Sequence, residues 1–157
     1  MADSIEQQVI DTVEAKLAEI TTANSYEIDV REVLSYDALD DHAVRYPCLL
    51  LIAVSGDYDE NVFAGKHHNT LTLNVHALLD GMTAPQSRTS QFIADVRKAL
   101  FELKPIEPAP GDLIHNIEVR RSFRLLPDGD PPREFFGAVL EVVVDYRDTP
   151  GDPYTDA

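Results

Sequence analysis

The stretch His67-His68-Asn69-Thr70-Leu71-Thr72-Leu73-Asn74-Val75-His76-Ala77 decides the fold through its alternation. Successive residues of a β-strand point to opposite faces, so Leu71, Leu73, Val75 and Ala77 share one side and Thr70, Thr72, Asn74 and His76 the other. A strand of this kind buries one face. Upstream, Tyr46-Pro47 enforces an extended backbone, and the unbroken apolar run from Cys48 through Val54 predicts a central strand buried on both faces. Ser55-Gly56-Asp57 is expected to end it, and Tyr58 to Lys66 to form a polar excursion before the alternating strand.

Further out, Ser4 and Gln7 have the spacing of a capping box, and Ile5, Val9, Val13, Leu17 and Ile20 follow at helical intervals, predicting a helix from Ser4 to about Ile20. Ile28, Val30 and Val33 point to a short strand with a bulge, and Ser35 to Arg45 to an acidic loop. Downstream, Thr83 or Ser87 is placed to cap a second helix whose apolar face is Phe92, Ile93, Val96, Leu100 and Leu103, stopped by Pro105, Pro108 and Pro110. Ile117, Val119, Arg121, Phe123 and Leu125 then alternate, Pro127 to Pro132 turns, and Phe135 to Tyr146 returns as a strand longer than most. The expectation is an α+β fold: a mostly antiparallel sheet of about five strands, two helices on one face and a long C-terminal β-hairpin. Residues 1–147 are read as one domain and residues 148–157, rich in Asp, Pro and Gly, as a flexible acidic tail.

Composition narrows the function. The 157 residues hold 13 Lys and Arg against 28 Asp and Glu, a formal charge of −15. That balance opposes counterion-release binding to nucleic acid and makes an anionic membrane an unfavourable partner. No stretch is apolar enough for a bilayer span, and Met1-Ala2-Asp3-Ser4-Ile5-Glu6 lacks the basic start of a secretion signal, so a protein made in reducing cytoplasm is expected. The single cysteine, Cys48, lies in an apolar run and reads as a buried, inert thiol.

Catalytic signatures are missing: there is no GxSxG elbow, phosphate loop or GxGxxG. His67 and His68 point to opposite faces of a strand, and His68 and His76 would lie about 26 Å apart along it, so no metal, cofactor or catalytic group is expected. Arg120, Arg121 and Arg124, with Arg133 beyond the turn, form the one basic concentration. They read either as cross-strand partners of Glu134 and Glu141 or as a docking patch for a neighbouring subunit. Asp37, Asp40 and Asp41, and Asp57, Asp59 and Glu60, are acidic clusters assigned to loops.

With the order of elements in hand, the chain resembles the tail terminator, or tail-to-head joining, proteins of long-tailed bacteriophages and prophages. The features that carry the likeness are Leu17-Ala18-Glu19-Ile20-Thr21-Thr22-Ala23-Asn24-Ser25-Tyr26 and the strand through Val33; Tyr46-Pro47-Cys48-Leu49-Leu50; the strand Leu71 to Leu79; Ala94-Asp95-Val96-Arg97-Lys98-Ala99-Leu100; and Glu141-Val142-Val143-Val144-Asp145-Tyr146-Arg147. The resemblance implies a virion structural protein, assembled in the host cytoplasm, that caps the tail tube as a ring, usually a hexamer, and meets a head completion or neck protein. No catalytic residue is carried over. In such a ring DNA passes without specific binding, and one of the two acidic clusters is a candidate lining for the opening, where it would keep phosphates from sticking. Two other readings stand beside it: another neck or tail-tube component of a phage or phage-derived injection machine, and a small-molecule-binding accessory domain using His76 and Asp80 in a cleft between helices and sheet.

Overall fold

The structure, a computed structural model, describes residues 3–35, 43–58, 67–81, 84–85, 87–109, 111–126, 135–149 and 152–154. It is an α+β fold in the order α1 (Ile5–Ala18), β1 (Glu32–Ser35), β2 (Cys48–Tyr58), β3 (His67–Asp80), α2 (Arg88–Leu103), β4 (Asn116–Leu125) and β5 (Phe135–Asp148), with a 3₁₀ turn at Thr22–Asn24. The five strands form one sheet ordered β1-β2-β3-β5-β4. All neighbouring pairs are antiparallel except β1 and β2, which run parallel.

Helix α1 starts where Ser4 Oγ accepts the Gln7 N–H at 3.2 Å. The capping box is only half closed, because the Gln7 amide donates to Asp11. Ile5, Val9, Val13 and Leu17 of α1 and Phe92, Val96, Ala99 and Leu100 of α2 pack on one side of the sheet, against Leu71, Leu73, Val75, Ala77, Leu140, Val142 and Val144. At about 1.5–3 kcal/mol for each large apolar side chain buried, this layer is the main source of stability. Ser87 stands at the start of α2 with no side-chain cap bond.

Several expectations are corrected. The middle strand is β3, while β2 has only the short β1 outside it. Strand β2 is buried on both faces from Cys48 to Leu51 but exposed from Ala53, and it does not stop at Ser55: a bulge at Val54 shifts the register and the strand continues to Tyr58. Gly56 permits this, since its missing side chain leaves room for the Tyr58 ring. The strand expected from Ile28 begins only at Glu32. The intervening backbone donors are satisfied elsewhere: Glu27 and Ile28 N–H donate to the Asp95 carboxylate at 2.9 and 2.8 Å, and Val30 N–H to the Ile20 carbonyl at 2.9 Å.

The segment read as a loose tail begins inside the sheet, with Asp148 buried at the end of β5, and its described residues fold back. The Ile5 N–H donates to the Pro153 carbonyl at 2.9 Å, which supplies one of the donors that a helix N-terminus leaves unpaired. Strand β4 pairs with β5 from Asn116 opposite Asp145 to Leu125 opposite Gly137, whereas the turn expected between them, residues 127–132, lies outside the described residues. Gly137 has φ 149°, and a Cβ there would fall 1.9 Å from the Ala77 carbonyl oxygen, so β5 approaches β3 more closely than any side chain allows.

Candidate assembly surfaces

Both helices pack on the same side, and among the described residues no helix covers the other. The strand register lines that open face up in rows. One row crosses all five strands: Leu34, Leu50, His76, Val139 and Phe123. The next, toward Asp80, is Glu32, Cys48, Leu78, Gly137 and Leu125, with Tyr46 and Phe135 stacked at 6.5 Å nearby. In the opposite direction come Ile52, Asn74, Glu141 and Arg121, then Ser55, Thr72, Val143 and Glu118, then Asp57, Thr70, Asp145 and Asn116. The open face is therefore divided into an apolar half and a polar half.

The apolar half ends on Phe123, which is 52% exposed, with the Arg121 guanidinium 5.1 Å from its ring centre. Aromatic residues and arginine are enriched at protein interfaces, and here the two lie side by side at the edge of the face. Burial depresses the pKa of His76, so its imidazole favours the neutral form. The Cys48 thiol is pushed up to about 12, by burial first and then by the Glu32 charge. It is no nucleophile.

The arginine group does not converge. Strand β4 carries a bulge between Val119 and Arg121, and the bulged residue, Arg120, reaches Glu118 at 3.3 Å. The bulge reverses the alternation: Ile117 and Val119 face the helices, but Arg121, Phe123 and Leu125 face the open side. Arg121 pairs with Glu141 at 2.7 Å, the cross-strand bond foreseen, while Arg124 on the helix side donates to Ser90 of α2 at 2.8 Å. Arg133 lies outside the described residues. So do Asp37, Asp40, Asp41, Asp59 and Glu60; Asp57 is in β2 rather than in a loop, exposed at the polar end of the open face.

His76 and Asp80 do not meet in one cleft: strand parity turns His76 to the open side, whereas Asp80, at the strand end, lines a groove of about 320 Å³ with Arg31, Tyr46 and Arg88 of α2. His67 sits 3.3 Å from Asp148, and among the described residues no three His, Cys, Asp or Glu side chains are grouped to hold a metal. Three polar clusters were not legible in advance. Asp95 is 5% exposed and takes the two N–H groups of Glu27 and Ile28. Glu6 accepts from Tyr58 at 2.7 Å and Tyr146 at 3.2 Å, tying α1 to the far end of the sheet. Lys16 bridges Glu19 and Glu102, each at 2.7 Å, and those bonds raise its pKa. Each joins residues far apart in the chain except Lys16 with Glu19, whose three-residue helical spacing was a usable signal. No protein-family model matches the chain, and a search of curated proteins finds no matching sequence. Among the described residues no helix is long and apolar enough to cross a membrane.

Proposed function

We propose that this chain is an assembly protein of a long-tailed bacteriophage or prophage, a tail terminator that caps the tail tube as an oligomeric ring and forms the surface where the head joins. The observation that supports this reading is the open sheet face, whose apolar half crosses all five strands and ends on Phe123 and Arg121. Among the described residues no helix covers this face; Leu34, Cys48, Leu50 and Leu78 on it are buried, and its accessible apolar part runs through half-buried His76 and Val139 to exposed Phe123 at the β4 edge, a surface suited to a protein partner. Tail tube or neck proteins are the proposed occupants, and a second copy of the chain supplies the ring contact. No enzymatic step is proposed, and DNA would pass the ring without specific binding.

The test is the mass of the purified protein alone and with isolated tail tubes, with negative-stain images of both. Closed rings and capped tube ends are expected. Phe123→Asp and Arg121→Gln should each weaken tube capping while the protein still folds, whereas Arg124→Gln, on the other side of the sheet, should act less. A monomer that ignores tail tubes, or one whose melting temperature is raised by a small ligand, would overturn the reading.

A further inference from the structure

We propose that the two edges of the sheet are complementary halves of one head-to-tail interface between copies of this chain. The proposal rests on the self-assembly reading above and names the surfaces that would carry it. At the β4 edge, a groove of about 450 Å³ runs between α2 and β4 over Leu100, Ile117 and Val119. Its lining carries Arg97, Lys98 and Lys104 against one carboxylate, Glu118, which is paired with Arg120 at 3.3 Å, so the balance is cationic in a chain of net charge −15. Lys98 is committed, donating to the Ser25 carbonyl at 2.7 Å and lying 4.4 Å over the Tyr26 ring. Arg97 and Lys104 are exposed and form no ion pair among the described residues. Phe101 stands between them, 73% exposed, on a helix whose apolar side is otherwise inward.

The β1 edge is the counterpart in both shape and charge. There α1 and β1 border a groove of about 350 Å³ whose walls are Ala15, Ala18 and Val33 and whose charges are Asp11 and Glu14. Small side chains let an aromatic ring approach the helix backbone, and two carboxylates answer two unpaired cations. Neither surface alone specifies an occupant; their complementarity does. The edges stand at opposite ends of the strand order, four strand spacings of about 4.8 Å or roughly 19 Å apart, so one molecule cannot join its own. A patch that meets a different patch on the next copy propagates in one sense and closes as a ring where the rotation allows.

Charge reversal on each edge separately provides the test. Arg97→Glu with Lys104→Glu makes one edge acidic, and Asp11→Lys with Glu14→Lys makes the other basic; Arg97, Lys104 and Asp11 are exposed and Glu14 half-buried, and circular dichroism checks that each variant folds. Each double variant alone should require at least roughly tenfold higher concentration to assemble than the unaltered chain. Mixed one to one, they should assemble again in alternation, since every contact is then between opposite charges. Phe101→Ser should weaken assembly without touching charge. Assemblies of unchanged mass in all three variants, or no recovery on mixing, would overturn the edge pairing while leaving self-assembly intact. An unaltered chain that stays monomeric at every concentration would remove the self-assembly reading and the edge pairing together.

Discussion

The two faces of the sheet are built from the same strands, yet the helix side is fully buried at its centre, over β3 and β5, while the other is graded. On the helix side, Leu73, Val75, Leu140, Val142 and Val144 are all fully buried. On the open side, exposure rises from Cys48, which is buried, through His76 and Val139, which are half-buried, to Phe123 at 52%. Alternation assigns each residue to a face, and bulges decide where that assignment changes. The bulge at Arg120 moves Phe123 and Arg121 to the open side, and the one at Val54 lets β2 continue past the turn its Ser55-Gly56-Asp57 announces. The covered face specifies the fold, and the open one is free to specify a partner.

Adjacent residues of β2 give the largest contrast. Leu51 faces the helices opposite Val75, and Ile52 faces the open side opposite Asn74. Leu51→Asp places a carboxylate in the core, costing roughly 5 kcal/mol or more, comparable with the ~5–15 kcal/mol that holds a domain of this size together. It should not yield folded protein. Ile52→Asp should fold, with a loss of about 1–2 kcal/mol in a urea titration. Equal losses at the two positions would show that the open face is as closed as the covered one.

The next contrast lies within the covered layer, where Asp95 is a charge among apolar side chains. Its carboxylate is the acceptor for two backbone donors of the segment before β1, so Asp95→Ala leaves both donors without it. The expected loss is roughly 2–4 kcal/mol, with faster amide exchange at Glu27 and Ile28. Asp95→Asn keeps one acceptor oxygen and should lose less. Protection at Glu27 and Ile28 that survives Asp95→Ala would show that these donors are held by something else.

The helices, the alternating strand β3 and the return strand β5 were legible because each repeats a period long enough to be read locally. Asp95 was not, since its partners lie 67 and 68 positions away and an aspartate on a helix reads as solvated. The same limit applies to the β4 arginines. Their sequence spacing places Arg121 on the same side as Val119, and only the pairing with β5 reveals the extra residue between them. Parity places His76 correctly on the polar side of β3, and since that side is the one away from the helices, it cannot reach a cleft between helices and sheet. Long-range pairing and bulge position are properties of the assembled sheet, so one strand read alone cannot supply them.

His76 offers the smallest and most selective probe of the open face. Its row neighbours are Leu50 and Val139, and its diagonal neighbours across β2 and β5 include Cys48, whose thiol stays protonated, and Glu141, which is held by Arg121 at 2.7 Å. Burial alone shifts it, and in the direction that disfavours the imidazolium. The folded pKa is therefore below the ordinary 6.5, and as pH falls through 6.5 the unfolded chain takes up a proton that the folded chain refuses. Stability attributable to His76 is thus complete above 6.5 and is lost on descending toward the folded pKa. Melting temperatures of the unaltered protein and of His76→Gln, compared at pH ~8 and pH ~5, should show a larger acid-side fall in the unaltered protein. The comparison between variants removes the background from the many carboxylates, which titrate in both. An identical fall in the two proteins would mean that His76 is as well hydrated as an ordinary surface histidine, and that the apolar row across the open face is interrupted at its middle strand.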